Sequence, residues 1–434
     1  MWISLVIFNN MQKVSIIGLG YVGLPLLLAI ERSKKYEVQG FDISDEQVEK
    51  IKNKDCPITD EIAEKDLQEL DVRVTTDENT LEGTDIFIIC VPTPIHDDYT
   101  PDYGPVESAS KTCGKYLKKG ATIILESTVN PGTCEEIVLP IVEEVSGMKG
   151  IKDFNLGFCP ERINPGDPKW NVYNINRNIG SLDIARTKEL ADFYRSFLDA
   201  EVNECSSLKV AEATKIVENT FRDINIAYVN ELAKSFDSMG IDLQETLKGA
   251  SNKPFAFMAH WPGCGVGGHC IAVDPYYLIK RATLNGFNHR FLKAARDINN
   301  SMPKYTVGRV IEALNEIGKS VKGTRIALLG LSYKQNVADL RESPSFEILK
   351  KLEKMGAEVN VFDPYTSERN TYKTFKETLE NSEAIVLCTA HDEFKDLSAE
   401  QLLSYDINVV LDGRNCLDKE LIEKENIIYR GIGR

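Results

Sequence analysis

Short runs of β-branched and aliphatic residues with no polar face recur along this chain, and each is followed by a stretch of helical period. They are VSII at 14–17, VQGFDI at 38–43, IFIICVP at 86–92 and ATIILEST at 121–128. A strand that is apolar on both sides must be covered on both sides, and alternating helices supply that cover from their own crossovers. The pattern requires a parallel sheet between helical layers. It returns at 324–332, 358–364, 383–390 and 407–413. Between the two sets lie long helical stretches. One starts near Ser207 and runs to about Met239, with Leu208, Ala211, Val217, Phe221, Ile224, Tyr228 and Leu232 at helical spacing; the other covers 290–318.

The first strand runs into GLGYVGLP, where Gly18, Gly20 and Gly23 form G-x-G-x-x-G at the start of an apolar helix, and Asp42 closes the next strand. The first glycine allows the tight turn, the second lets backbone approach a pyrophosphate, and the third lets helix and strand pack closely. Free N–H groups at the helix start favour phosphate. Asp42 accepts from ribose hydroxyls and repels a 2′-phosphate, which selects NAD over NADP. The corresponding turn in the second set, GLSYKQN at 330–336, lacks the glycine pattern and predicts no second dinucleotide site, although Lys334 is available to a phosphate. The fold class is α/β, with two Rossmann-like doubly wound parallel-sheet domains joined by a central helical region.

Acidic residues outnumber basic ones 66 to 51, a net charge of −15. That balance speaks against nucleic acid or an anionic membrane surface as the main partner. No run reaches the length of a bilayer span. The apolar start MWISLVIF has no basic flank or cleavage site, so the fold is expected to begin at Met11 with residues 1–10 as an extension. Ten scattered cysteines form no disulfide framework, which predicts reduced thiols and a cytoplasmic protein.

The densest stretch is PGCGVGGHCIAVDPYYL at 262–278. Gly263, Gly265, Gly267 and Gly268 predict a loop with close backbone approach, ending at His269 and Cys270, with Asp274 following. A metal would use Cys264, His269, Cys270 and Asp274, a spacing that matches no known ligand set. A buried structural cysteine is the plain alternative. Beside an NAD site, the preferred role is a nucleophilic thiol, which traps an aldehyde as a thiohemiacetal for a second oxidation to a thioester. Lys215 and Asn219 are i, i+4 neighbours and share a helix face. Glu161, in FCPERINPGD, and Thr128, in ESTVNPGT, each follow a strand, where α/β sheets place ligand contacts.

In order from Val14, the motifs GLGYVGLP, VPTP, ESTVNPGT, CPERINPGD, KVAEATKIVENTFRDINIAYVNELA, GCGVGGHCIAVDPYYL and GLSYKQNVADLRESPS make the chain resemble the UDP-glucose/GDP-mannose dehydrogenase family. The resemblance implies an NAD-binding domain at 11–205, a central helical dimerisation domain with the catalytic loop at 206–318, and a UDP-sugar-binding domain at 319–434. It implies a homodimer that oxidises a sugar C6 alcohol to a carboxylate with two NAD. Cys270 then corresponds to the nucleophile and Asp274 to the acid that assists water activation. Lys215 and Asn219 correspond to the oxyanion-stabilising pair, Glu161 to the residue that positions water, and Thr128 to its helper. Cofactor contacts extend to Tyr21, Val22, Val91, Pro92, Thr93 and Thr128. Substrate contacts come from Glu161, Arg162, Lys215, Asn219, Phe255, Phe257, Gly263, Lys334 and Arg341, while Arg290 reaches the partner subunit's site.

The glucose-oxidising branch carries a PEFLRE-like segment where this chain reads PERINP. That difference resembles the branch acting on UDP-N-acetylhexosamines and favours UDP-GlcNAc or UDP-GalNAc, with UDP-ManNAc and UDP-glucose as alternatives. A β-hydroxyacid dehydrogenase also explains Lys215 and Asn219, but leaves Cys270 and the last α/β unit without a task. A non-catalytic NAD sensor needs none of the lysine, glutamate and cysteine.

Overall fold

The computed structural model describes residues 11–96, 100–162, 169–268 and 270–434. The expected extension at 1–10, the later part of PERINPGD and His269 lie outside them. The chain divides into two compact units, one running through Glu218 and the other beginning at Asn219.

The first unit is built on an eight-stranded sheet: β1 (Lys13–Ile17), β2 (Glu37–Phe41), β3 (Arg73–Thr75), β4 (Ile86–Ile89), β5 (Thr122–Leu125), β6 (Asn155–Phe158), β7 (Arg177–Ser181) and β8 (Val202–Glu204). Its order is β3-β2-β1-β4-β5-β6-β7-β8, parallel except where β7 runs against β6. Register explains the two-sided apolar code. Ile16, Ile88 and Ile124 stand side by side and feed one core, while Ile17, Ile89 and Leu125 form the adjacent row and feed the core on the opposite face. Each is buried, and full burial of such a side chain contributes about 1.5–3 kcal/mol.

The second unit repeats the plan with β9 (Arg325–Leu329), β10 (Glu358–Phe362), β11 (Ala384–Leu387), β12 (Val409–Asp412) and β13 (Ile428–Gly431), ordered β10-β9-β11-β12-β13 and parallel throughout. Ile326, Leu328, Val386 and Leu411 feed one face; Ala327, Leu329, Ile385 and Val410 feed the other.

The helices Leu208–Met239 and Arg290–Glu316 match the two long stretches read from sequence. The buried face of the first differs from the apolar stripe picked out there. Leu208, Ala211, Ile216, Ala227, Val229 and Ala233 are buried, whereas Val217, Phe221 and Tyr228 are exposed. Three of the six buried residues are alanines, which a reading by large apolar side chains passes over. Among the described residues no helix is long and apolar enough to cross a membrane.

Candidate active site

In the first sheet the strand order reverses between β1 and β4, the position where open α/β sheets hold ligands. Gly18 follows β1 with φ +93°, and a Cβ there would lie 2.9 Å from the Cys90 carbonyl oxygen. A Cβ on Gly23 would lie 1.8 Å from the Gly18 carbonyl oxygen, so no side chain fits. Gly20 is different: a Cβ there would meet nothing within 4 Å. Protein packing does not demand that glycine, and the space beside it is open to a ligand. The helix Gly23–Ser33 starts at Val22 with no side-chain cap and no acidic residue in its first turn, whereas Ser44 and Asp60 cap the next two helices. No side chain competes for its N-terminus, although Leu24 N already donates to Gly20 O at 3.1 Å and Pro25 has no N–H, and the dipole there favours an anion.

Asp42 accepts from Leu19 N at 2.8 Å through one oxygen and from Ser44 N at 2.9 Å through the other, and stays half-buried. Each oxygen retains a lone pair for a ribose hydroxyl. Tyr21 is exposed beside the turn. After β4, Val91 and Thr93 are half-buried and Pro92 is exposed; Ser127 Oγ donates to Val91 O at 2.6 Å, tying that loop to half-buried Thr128. These residues fit NAD. Gly20→Val is expected to weaken NADH binding at least tenfold with little loss of stability. Gly23→Ala is expected to cost about 1–3 kcal/mol through overpacking. Fluorescence titration and thermal melts separate the two; equal affinity for Gly20→Val and wild type refutes the pyrophosphate role.

Two residues whose plainest sequence reading was an exposed surface charge are buried in this unit. Glu161, beyond β6, is 8% exposed and Lys215 is 9% exposed. Lys215 Nζ donates to the Glu161 carbonyl at 2.6 Å. Arg162 is engaged with Glu218 at 2.7 Å and donates to Asn176 O at 2.8 Å. Sequence reading missed Glu212, which is fully buried and accepts from Gly132 N at 2.5 Å and Cys134 N at 2.8 Å, fixing the ESTVNPGT loop. Its only signal was an acid on the buried side of a helix.

In the second unit the glycine loop lies against the Tyr333 side chain and the backbone of Arg341 and Glu342. Cβ atoms on Gly267 and Gly268 would meet Tyr333 at 2.7 and 2.8 Å, and Gly268 has φ +86°. Gly268 N donates to Arg341 O at 2.9 Å and Gly263 N to Asn230 Oδ1 at 3.0 Å. The loop delivers Cys270 half-buried. Asp274 N returns to Cys270 O at 2.8 Å, and the Asp274 side chain is 1% exposed. Asn219 Nδ2 donates to Asp274 Oδ2 at 2.5 Å. Cys264 is buried against Gly413 O at 3.9 Å. Tyr333, which sequence reading passed over within GLSYK, backs the loop, and burial pushes its hydroxyl pKa up to about 12. Lys334 is half-buried; the Arg341 guanidinium pairs with Asp339 at 2.6 Å; Arg290 and Phe255 are exposed, and Phe257 packs partly on the core around Val229 and Leu247.

The β9 turn copies the β1 turn. Gly330 N donates to Phe362 O as Gly18 N does to Phe41 O, and Leu331 N meets Asp363 as Leu19 N meets Asp42. Asp363 is closed, however. It also accepts from Ser332 N and Oγ at 2.9 and 3.0 Å and from His391 Nε2 at 3.1 Å. His391 Nδ1 accepts from Asn336 N at 2.9 Å, which puts the ring proton on Nε2. Burial alone would raise the Asp363 carboxyl; the His391 and backbone bonds hold it well below the usual range.

Comparison with known proteins follows the same division of labour. Residues 12–198 match the UDP-glucose/GDP-mannose dehydrogenase family NAD binding domain, 209–301 its central domain and 327–419 its UDP binding domain. The chain belongs to this family. It is thus an NAD-dependent oxidoreductase acting on a UDP-sugar. A UDP-N-acetyl-D-glucosamine 6-dehydrogenase of Pseudomonas aeruginosa is 39% identical over 416 residues, 92% of this chain and 97% of that one. A UDP-D-ManNAc dehydrogenase structure from Pyrococcus horikoshii superposes with TM-score 0.91 at 33% identity, covering 98% and 99%. An NDP-N-acetyl-D-galactosaminuronic acid dehydrogenase from Methanosarcina mazei Go1 gives 0.86 at 30%, covering 98% and 96%.

Proposed function

We propose that this family member oxidises the C6 alcohol of a UDP-N-acetylhexosamine, UDP-GlcNAc or UDP-GalNAc first, to the uronic acid. The observation that carries the reading is the pairing of Cys270 with buried Asp274, which Asn219 holds, at the end of one glycine loop. A two-electron oxidation to a ketone gives a thiol no task, whereas a four-electron oxidation to an acid gives it one, holding the aldehyde for the second oxidation.

Gly18, Gly20 and Asp42 at the β1 turn would hold NAD, which would supply the hydride acceptor for each of two oxidations at C6. The Cys270 thiolate adds to the aldehyde carbon left by the first, and the resulting thiohemiacetal is oxidised to a thioester. Lys215 and Asn219, one helical turn apart, stabilise the oxyanions, a task at which a buried ammonium and amide excel. Glu161 and Thr128 orient the hydrolytic water and Asp274 assists its activation. Lys334 and Arg341 bind the diphosphate, with Arg162, Phe255, Phe257 and Gly263 contributing to the sugar site. The domains divide at 11–205, 206–318 and 319–434. All ten cysteines are free, which supports work in the cytoplasm, on precursors of surface polysaccharide or glycan.

Three relatives named for GlcNAc, ManNAc and galactosaminuronic acid chemistry support the acetamido class without choosing an epimer. NADH formation over UDP-Glc, UDP-GlcNAc, UDP-GalNAc, UDP-ManNAc and GDP-Man decides it. Two NADH per UDP-N-acetylhexosamine is expected, and activity on UDP-glucose alone overturns the branch. The homodimer is supported by Phe221, Tyr228 and Phe291, which are 46%, 55% and 67% exposed. Arg290 reaches the partner subunit's site. Light scattering that returns a single 48.6-kDa chain rules the dimer out.

A further inference from the structure

A buried ionic network stands behind Glu161, and no step described above uses it. Glu126 follows β5, Arg177 opens β7 and Tyr194 lies on the helix Thr187–Arg195; all three are at most 1% exposed. Arg177 Nη1 lies 3.2 Å from Glu126 Oε2 and 4.0 Å from Glu161 Oε1. The Tyr194 hydroxyl donates to the other Glu126 oxygen at 2.5 Å, and Glu161 N approaches the Glu126 carbonyl at 3.5 Å. Arg177 Nε has no hydrogen-bond partner among the described residues. Where only stability is needed, apolar side chains serve as well as a buried ion pair. Here one guanidinium is set between two carboxylates, one of them in the candidate site.

We propose that Arg177, with Glu126 and Tyr194 behind it, is a positioning residue for Glu161, fixing where that carboxylate stands and sharing one positive charge between it and Glu126. The proposal rests on the water-positioning role of Glu161. In that step the water oxygen bonds to the acyl carbon, the C–S bond to Cys270 breaks, and the sulfur leaves as thiolate. The water gives its proton to Glu161, the carboxylate that positions it and is ionised before the step, while Asp274 assists.

The charges around Glu161 give the direction of each substitution. Arg177 faces it from β7 and Glu126 from the end of β5. The Lys215 ammonium sits on its own carbonyl, and the Arg162–Glu218 pair lies next along the chain. The Cys90 and Cys159 thiols nearby are neutral, because burial pushes both up. Arg177→Met takes away a positive charge 4.0 Å from the Glu161 carboxylate, whereas Glu126→Gln takes away a carboxylate that shares the same guanidinium.

The test uses the full chain and separates the first hydride transfer from thioester hydrolysis by single-turnover kinetics. Arg177→Met is expected to move the acid limb of hydrolysis up by about one pH unit and to build up the sugar adduct on Cys270, seen by intact mass. Arg177→Lys restores most of the rate. Glu126→Gln moves the limb down, and this opposite sign is the readout that a purely structural role does not produce. If Arg177→Met does not fold, the downward limb of Glu126→Gln, set against the near-wild-type limb and rate of Arg177→Lys, decides. Limbs that stay put or move together, with normal wild-type turnover, overturn the positioning role alone. A wild-type enzyme whose hydrolysis is indifferent to Glu161→Gln overturns the reading of Glu161 and this proposal with it.

Discussion

Cys270→Ser is expected to abolish steady-state production of two NADH per sugar, lowering that rate by about 10³-fold or more, in line with the loss of other catalytic nucleophiles. A serine hydroxyl is nearly isosteric with the thiol, so the fold should lose no more than about 1 kcal/mol. It is far less ionised near neutrality, and its ester is a poorer acyl donor than a thioester. The cofactor turn belongs to the other compact unit, so NAD affinity is expected to stay at the wild-type value. Stopped-flow absorbance with equilibrium titration checks both. Near-wild-type release of two NADH from Cys270→Ser would end the covalent mechanism.

Lys215→Ala comes second in size. The ammonium is 9% exposed and anchored to the Glu161 carbonyl, so its charge acts in surroundings that screen it poorly. Loss of such a donor from a developing oxyanion is expected to reduce kcat by about 10²–10³-fold with a smaller change in KM. The freed carbonyl adds an unsatisfied acceptor, worth about 1–3 kcal/mol of stability. A variant that loses stability but keeps kcat would make Lys215 a structural strut.

The apolar code exposed β1, β2, β4, β5 and β9 to β12 because each is buried on both faces, but it overran their ends. The segment read as a strand over 86–92 stops at Ile89; Cys90 stays buried, and the chain then becomes a loop with Pro92 exposed. Only the end of β6 was read, before Glu161, and β7 and β8 escaped notice; β8 is three residues long with Asn203 and Glu204 exposed, and polar residues interrupt the other two. Asn155, Arg177 and Ser181 are polar yet buried, held by partners such as Glu126 that only the fold brings near. Spacing revealed Lys215, Asn219, Cys270 and Asp274 as residues of interest. It was silent on the Asn219–Asp274 bond and on Tyr333, because both depend on chain segments far apart in sequence.

The paired turns at Asp42 and Asp363 differ in how much order each owes to its ligand. His391 and Ser332 satisfy the second carboxylate from within, so the loop carrying Tyr333 and Lys334 is preorganised before anything arrives. The first carboxylate holds its turn with two amides only and leaves the remaining valences to the cofactor. The β1 turn is therefore expected to stiffen on NAD binding more than the β9 turn, which folding has already tied down; amide hydrogen exchange with and without NADH checks this.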